Sequence, residues 1–138
     1  MINYFDDNRY CFTRDSGSGY YNWSVGRACA DIFICHLQPY DFASHFALSG
    51  SNSIGQIKRP CFWKQYNLRT SAGAKAWWET HKDKSLRELQ IETLEWLIAE
   101  EARMPANYSD RERTYLNDTL TKLRASKMPL PPYLPWSL

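Results

Sequence analysis

The chain has 138 residues, 43% of them hydrophobic, with six Trp, nine Tyr and six Phe and a formal net charge of +2. That length suits one domain whose core needs neither disulfides nor metal, and the composition excludes low-complexity disorder for most of the chain. No stretch reaches the roughly 18 consecutive apolar residues of a membrane span.

The start, Met1-Ile2-Asn3-Tyr4-Phe5-Asp6-Asp7, has neither the basic nor the apolar region of a secretory signal. The expected location is the cytoplasm, with Cys11, Cys29, Cys35 and Cys61 reduced. Arg9–Arg14 is short, aromatic and β-branched, and Tyr20–Val25 has the same character. Asp15-Ser16-Gly17-Ser18-Gly19 between them is a turn cluster, so the three predict a β-hairpin. Ala30–Leu37 is ambiguous. Ile32, Phe33 and Ile34 favour a buried strand, whereas Val25, Cys29, Ile32, Phe33 and His36 fit a helical stripe starting after Ser24. Pro39 ends either element. Asp41–Leu48 reads as a short helix and Ser49–Ser53 as a loop.

The chain changes character near residue 70, and beyond it reads as helix. Thr70 or Ser71 caps a helix to about His81. Ser85-x-x-Glu88 is a capping box opening a helix to about Arg103. On that helix Leu86, Leu89, Trp96 and Leu97 fall on one side, and Ile91, Leu94, Ile98 and Ala102 on another. A helix apolar over so much of its circumference needs two packing partners. After the Met104–Tyr108 connector, Ser109-x-x-Glu112 opens a last helix to about Ala125. Its narrow stripe is Tyr115, Leu116, Thr119, Leu120 and Leu123, which predicts a one-sided helix antiparallel to its predecessor. Residues 129–138 are proline-rich, extended and polyproline-like. Leu134 and Trp136 in this tail are expected to lie on the chain's own domain or on a neighbouring copy, a route to a homo-oligomer.

Charge is unevenly distributed. Residues 58–84 carry Lys58, Arg59, Lys64, Arg69, Lys75, Lys82 and Lys84 against Glu79 and Asp83, a net +5, with Phe62, Trp63, Tyr66, Trp77 and Trp78 among them. The next segment, 85–102, is net −4. Cations bind phosphates or carboxylates, and flat rings stack on bases or fill a partner's pocket. The candidate partner-binding residues are therefore Lys58, Arg59, Trp63, Lys64, Tyr66, Arg69, Lys75 and Trp78. Adjacent helical residues point about 100° apart, so one of Trp77 and Trp78 belongs to the core and the other faces outward.

Other constellations are weaker. Cys29, Cys35, His36, His45 and Cys61 lack the tight pairing of a zinc site. A Cys/His hydrolase would use Cys35 or Cys29 as nucleophile, His45 as base and Asp41 or Asp31 as orienter, but no hydrolase motif accompanies them. Ser16-Gly17-Ser18-Gly19 lacks the Gly-Lys-Ser/Thr ending of a phosphate loop. Expected cofactors, metals and catalytic residues are none. The expectation is an α+β domain over residues 1–128 with a tail over 129–138. In it, a hairpin-bearing aromatic half packs on about three helices. Its expected function is non-catalytic binding of a protein partner, as an inhibitor of a nucleic-acid-handling machine of phage or mobile-element type. The alternatives are direct nucleic-acid binding and a Cys/His enzyme.

Overall fold

A computed structural model describes residues 1–15, 20–37, 62–103 and 110–132. Over these the chain is mostly helical with one two-stranded antiparallel sheet, an α+β composition. The Ser16–Gly19 turn, the Asp41–Leu48 helix, the Ser49–Ser53 loop, the 104–108 connector, Ser109 of the second capping box and Leu134 with Trp136 lie outside the described residues. Contacts divide the chain into two compact units. One comprises Met1–Cys35 and Trp63–Asp83; the other takes in the described parts of His36–Phe62 and Lys84–Leu138.

In the first unit, β1 (Tyr10–Asp15) pairs with β2 (Tyr20–Ser24), with Thr13 opposite Asn22 and an irregularity between Tyr10 and Phe12. The chain then passes directly into α1 (Val25–Leu37), which resolves the strand-or-helix ambiguity as helix. Ser24 makes that junction possible, because its hydroxyl accepts the Arg27 N–H at 3.1 Å and so satisfies one of the helix's open donors. The buried positions are Gly26, Ala30, Asp31, Ile34 and Leu37, while all five residues of the expected stripe are half-buried. The reason is close approach. A Cβ on Gly26 would stand 2.1 Å from the Phe5 carbonyl oxygen, so only glycine lets the N-terminal segment lie against this face.

Helix α2 (Phe62–Gln65) and helix α3 (Ser71–His81) are joined by a tight turn. Thr70 is the N-cap of α3, its hydroxyl accepting the Gly73 N–H at 3.1 Å. The Ser71 hydroxyl donates to the Ile2 carbonyl at 3.1 Å, tying α3 to the N-terminus. Phe5, Ala30 and Ala74 form the buried centre of this unit. Phe33 meets Phe5 edge-on at 5.8 Å and Trp77 at 6.0 Å, the arrangement that ring quadrupoles favour.

In the second unit, α4 (Leu86–Ala102) begins with the expected capping box. The Ser85 hydroxyl accepts the Glu88 N–H at 3.3 Å, and the Glu88 carboxylate accepts the Ser85 N–H at 2.7 Å. The Ser85 hydroxyl, which also donates to that carboxylate at 2.7 Å, and then the Ser85 N–H hold the Glu88 carboxyl below the ordinary carboxylate range. Leu94 and Leu97 pack with Leu116, Leu120 and Leu123 of α5 (Asp110–Ala125). The two helices run antiparallel: Arg87, in the first turn of α4, donates to the carbonyls of Leu123, Arg124 and Ser126 at the end of α5. An arginine at that position satisfies open carbonyls and complements the helix dipole.

The α5 stripe matches its expectation, with Leu116, Thr119, Leu120 and Leu123 buried and Tyr115 half-buried. Helix α4 does have a second set of contacts, but polar ones carry part of it. Gln90 is fully buried; its amide donates to the carbonyls of His36 and Leu130 at 2.8 and 3.0 Å and accepts the Leu130 N–H at 2.9 Å. Trp96 meets Phe62 edge-on at 5.4 Å. Ala102, placed on an apolar arc by the wheel, is exposed, while Gln90, Thr93 and Glu101 are buried. A wheel weighs side-chain polarity alone. It therefore misses a glutamine whose partners are backbone carbonyls. No described helix is long and apolar enough to cross a membrane.

Candidate functional site

Trp63 is the centre of the basic-aromatic segment. It lies in α2, and its carbonyl accepts the Leu68 N–H at 2.8 Å, which folds the chain back on itself. Asn67 sits in the left-handed region with φ 51°, a conformation asparagine tolerates better than most residues. Gly73 packs against this turn so closely that a Cβ there would stand 2.4 Å from the Asn67 carbonyl oxygen. Leu68 is fully buried beneath the turn. The turn therefore has little freedom, and it delivers Arg69 back over the indole: the guanidinium carbon stands 4.1 Å from the Trp63 ring centroid. The Lys64 ammonium stands 5.2 Å from the same centroid. Cation–ring contacts of this kind contribute about 0.5–2 kcal/mol, more as water is excluded.

Arg69 is held from its other side. Its Nη2 reaches Asp31 of α1 at 2.9 Å, and the Asp31 side chain is only 9% exposed. The second Asp31 oxygen accepts from Arg27 Nε at 2.8 Å. Arg27 in turn lies over the Trp23 ring of β2, 5.3 Å from its centroid. The result is a ladder across three elements: Trp23, Arg27, Asp31, Arg69, Trp63. Each guanidinium lies over an indole and bonds to one oxygen of the shared carboxylate. A planar, permanently charged fork is suited to both contacts at once in a way an ammonium is not.

Three of the eight sequence-derived candidates, Trp63, Lys64 and Arg69, are thus brought together. Tyr66 lies in the turn between them and is exposed. Lys75 and Trp78 are exposed on α3, and no described hydrogen bond, ion pair or ring contact joins either to Trp63. Trp77 is the buried member of its pair at 4% exposure, against 36% for Trp78. Trp78 instead borders an open pocket of about 350 Å³ with Met1, Ile2, Asn3 and Phe33. Lys58 and Arg59 lie outside the described residues. Two other cations of the segment are engaged locally, Lys82 with Glu79 at 2.8 Å and Lys84 with Glu92 at 2.6 Å.

Trp23 and Arg27 were not among the candidates, and Asp31 was named only as an orienter in the hydrolase alternative. Their spacing of four residues carries a signal, since Arg27 and Asp31 form an i,i+4 pair once the segment is helical. The undecided secondary structure concealed it.

The surroundings of Cys35 disfavour its thiolate. Burial, and then the negative charge of Asp31, push the Cys35 thiol up to about 11, opposite to the direction that creates a reactive thiolate. His45, Asp41 and Cys61 lie outside the described residues. Among those described, no three His, Cys, Asp or Glu side chains are grouped to hold a metal ion.

A scan against protein-family models finds no match, and searches of curated proteins and of solved structures find none either.

Proposed function

We propose that this chain is a small non-catalytic binding protein that occupies a protein partner's surface through the face around Trp63. The use we assign to such a face is inhibition of a nucleic-acid-handling machine, in the cytoplasm, by a protein of the phage or mobile-element kind. One observation carries the reading: Arg69 and Lys64 both lie over the Trp63 ring beside a turn with little freedom, and Arg69 is paired with a buried carboxylate. Pre-organised aromatic and arginine side chains contribute disproportionately to protein interfaces, because little entropy is lost when they bind.

The charge arrangement favours a protein over nucleic acid. A polyphosphate-tracking groove needs a row of uncommitted cations. Here Arg69, Lys82 and Lys84 each contact a carboxylate of the chain itself.

The test is affinity capture with wild-type and Trp63→Ala baits from a host lysate, run beside a titration with single- and double-stranded oligonucleotides at low and physiological salt. The expected result is a stoichiometric partner lost with Trp63→Ala, whose circular dichroism and melting stay near wild type, and no oligonucleotide response. Salt-sensitive quenching of Trp fluorescence by the oligonucleotides would move the function to nucleic-acid binding.

A further inference from the structure

We propose that the seat of residues 129–132 on α4 is a binding site for an extended, proline-flanked leucine segment. The chain's own strap is its resident ligand, and a partner segment of the same kind displaces it. This reading is independent of the one assigned to Trp63, and either can fail without the other.

Three facts carry it. First, Gln90 reads main chain. It is fully buried, and its amide both donates to the Leu130 carbonyl at 3.0 Å and accepts the Leu130 N–H at 2.9 Å. Pairing with both main-chain groups of one residue is how a strand edge takes an extended peptide. Selectivity then passes to the apolar part of the seat, where Leu130 packs against the leucines of α4 and α5. Second, the hold is confined to that residue. Leu130 is half-buried and Pro131 exposed, and among the described residues 129–132 form hydrogen bonds only through Leu130. A segment with so few buried contacts opens without the rest of the fold. Its root stays fixed. The Ser126 carbonyl accepts from Arg87 at 2.7 Å, and the Ser126 hydroxyl accepts the Met128 N–H at 3.1 Å. Third, an empty seat is unfavourable. Without Leu130, the described bonds of Gln90 reduce to the one with the His36 carbonyl at 2.8 Å, which leaves a buried carbonyl oxygen and an N–H unpaired. An incoming segment restores both bonds. Pro129, Pro131 and Pro132 suit such a segment. They have no N–H to leave unpaired, and they hold the chain extended beforehand, so little entropy is lost on seating.

The probe is a fluorescent peptide of residues 127–132, compared with the same peptide carrying Leu130→Asp and followed by anisotropy. The protein is the full chain with Leu130→Asp, which vacates the seat without altering it. This variant should bind the probe more tightly than wild type by about tenfold or more, because the wild-type strap competes at high effective concentration. The comparison peptide should not bind, and adding Gln90→Leu to the chain should abolish binding of the probe. Thermal melting checks the fold of each variant. Should Leu130→Asp not fold, amide exchange in wild type decides. The Leu130 amide should exchange faster than those of Leu94 and Leu97 by about tenfold or more, yet more slowly than in the free peptide. No binding by a folded Leu130→Asp chain, equal binding of the comparison peptide, or binding that survives Gln90→Leu overturns the proposal. So does a Leu130 amide that exchanges only with the whole fold, or as fast as in the free peptide. A concentration-dependent wild-type dimer that Gln90→Leu dissolves gives the seat to a second copy's strap and overturns the partner class.

Discussion

The α4–α5 pair and the face around Trp63 are held together by different physics. Between α4 and α5, Leu94, Leu97, Leu116, Leu120 and Leu123 are almost wholly buried, and each shares its environment with several others of the same kind. Such a seam is redundant: one leucine lost leaves the others in place. Around Trp63 the order depends on single contacts, namely one carboxylate, one left-handed asparagine and one glycine against which nothing larger fits. The first region tolerates exchange of one apolar residue for another of equal volume. The second has no spare parts, which is the expected condition of a site that must present side chains in fixed positions.

This contrast has measurable consequences. The largest should come from the neighbouring tryptophans. Trp77→Ala removes a ring packed edge-on against Phe33 and should cost about 3–5 kcal/mol, whereas Trp78→Ala should stay within about 1 kcal/mol, read by chemical denaturation. Equal losses would mean that the assignment of core and surface on α3 is wrong. Next, Leu97→Ala should cost about 2–5 kcal/mol while Leu97→Met costs under about 1.5, which measures the redundancy of the helical seam. Gly73→Ala places a methyl group against the Asn67 carbonyl and should cost about 1–3 kcal/mol. Because that glycine supports the turn delivering Arg69, the Trp63 emission spectrum should change with it. An unchanged spectrum would separate the turn from the indole. The smallest effect is Ser85→Ala, at about 1 kcal/mol from the lost cap. Its pH dependence has a defined sign. The folded state lowers the Glu88 pKa, so the carboxylate's contribution is fully present above the ordinary value of about 4.3 and is lost as pH falls below it. In Ser85→Ala the acid-side loss of stability should accordingly be shallower than in wild type.

The helical seam was largely legible. Leu116, Thr119, Leu120 and Leu123 repeat at helical spacing, and Ser85 with Glu88 marks a start by chemistry local to four residues. The site was legible only in part. Trp63, Lys64 and Arg69 are near neighbours in the chain, so composition alone gathers them. Lys75 and Trp78, equally prominent in the sequence, are exposed on α3 with no described contact to Trp63. Asp31 carries no sign in the sequence that it will be buried between two arginines. Nor does Gln90 announce that backbone carbonyls await it.

By itself, then, the sequence determined those features whose causes lie within one or two helical turns: the Thr70 and Ser85 caps, the stripe of α5, the hairpin strands and the basic-aromatic character of residues 58–84. Periodicity and capping are local, and their free energies do not depend on what the rest of the chain does. The tertiary structure decided the face of α1 that is buried, the choice between Trp77 and Trp78, and the joining of Trp23 and Arg27 to Trp63 and Arg69 through one carboxylate. Those outcomes depend on close approach between segments distant in the chain, as where Gly26 leaves room for Phe5 and where Arg69 reaches Asp31.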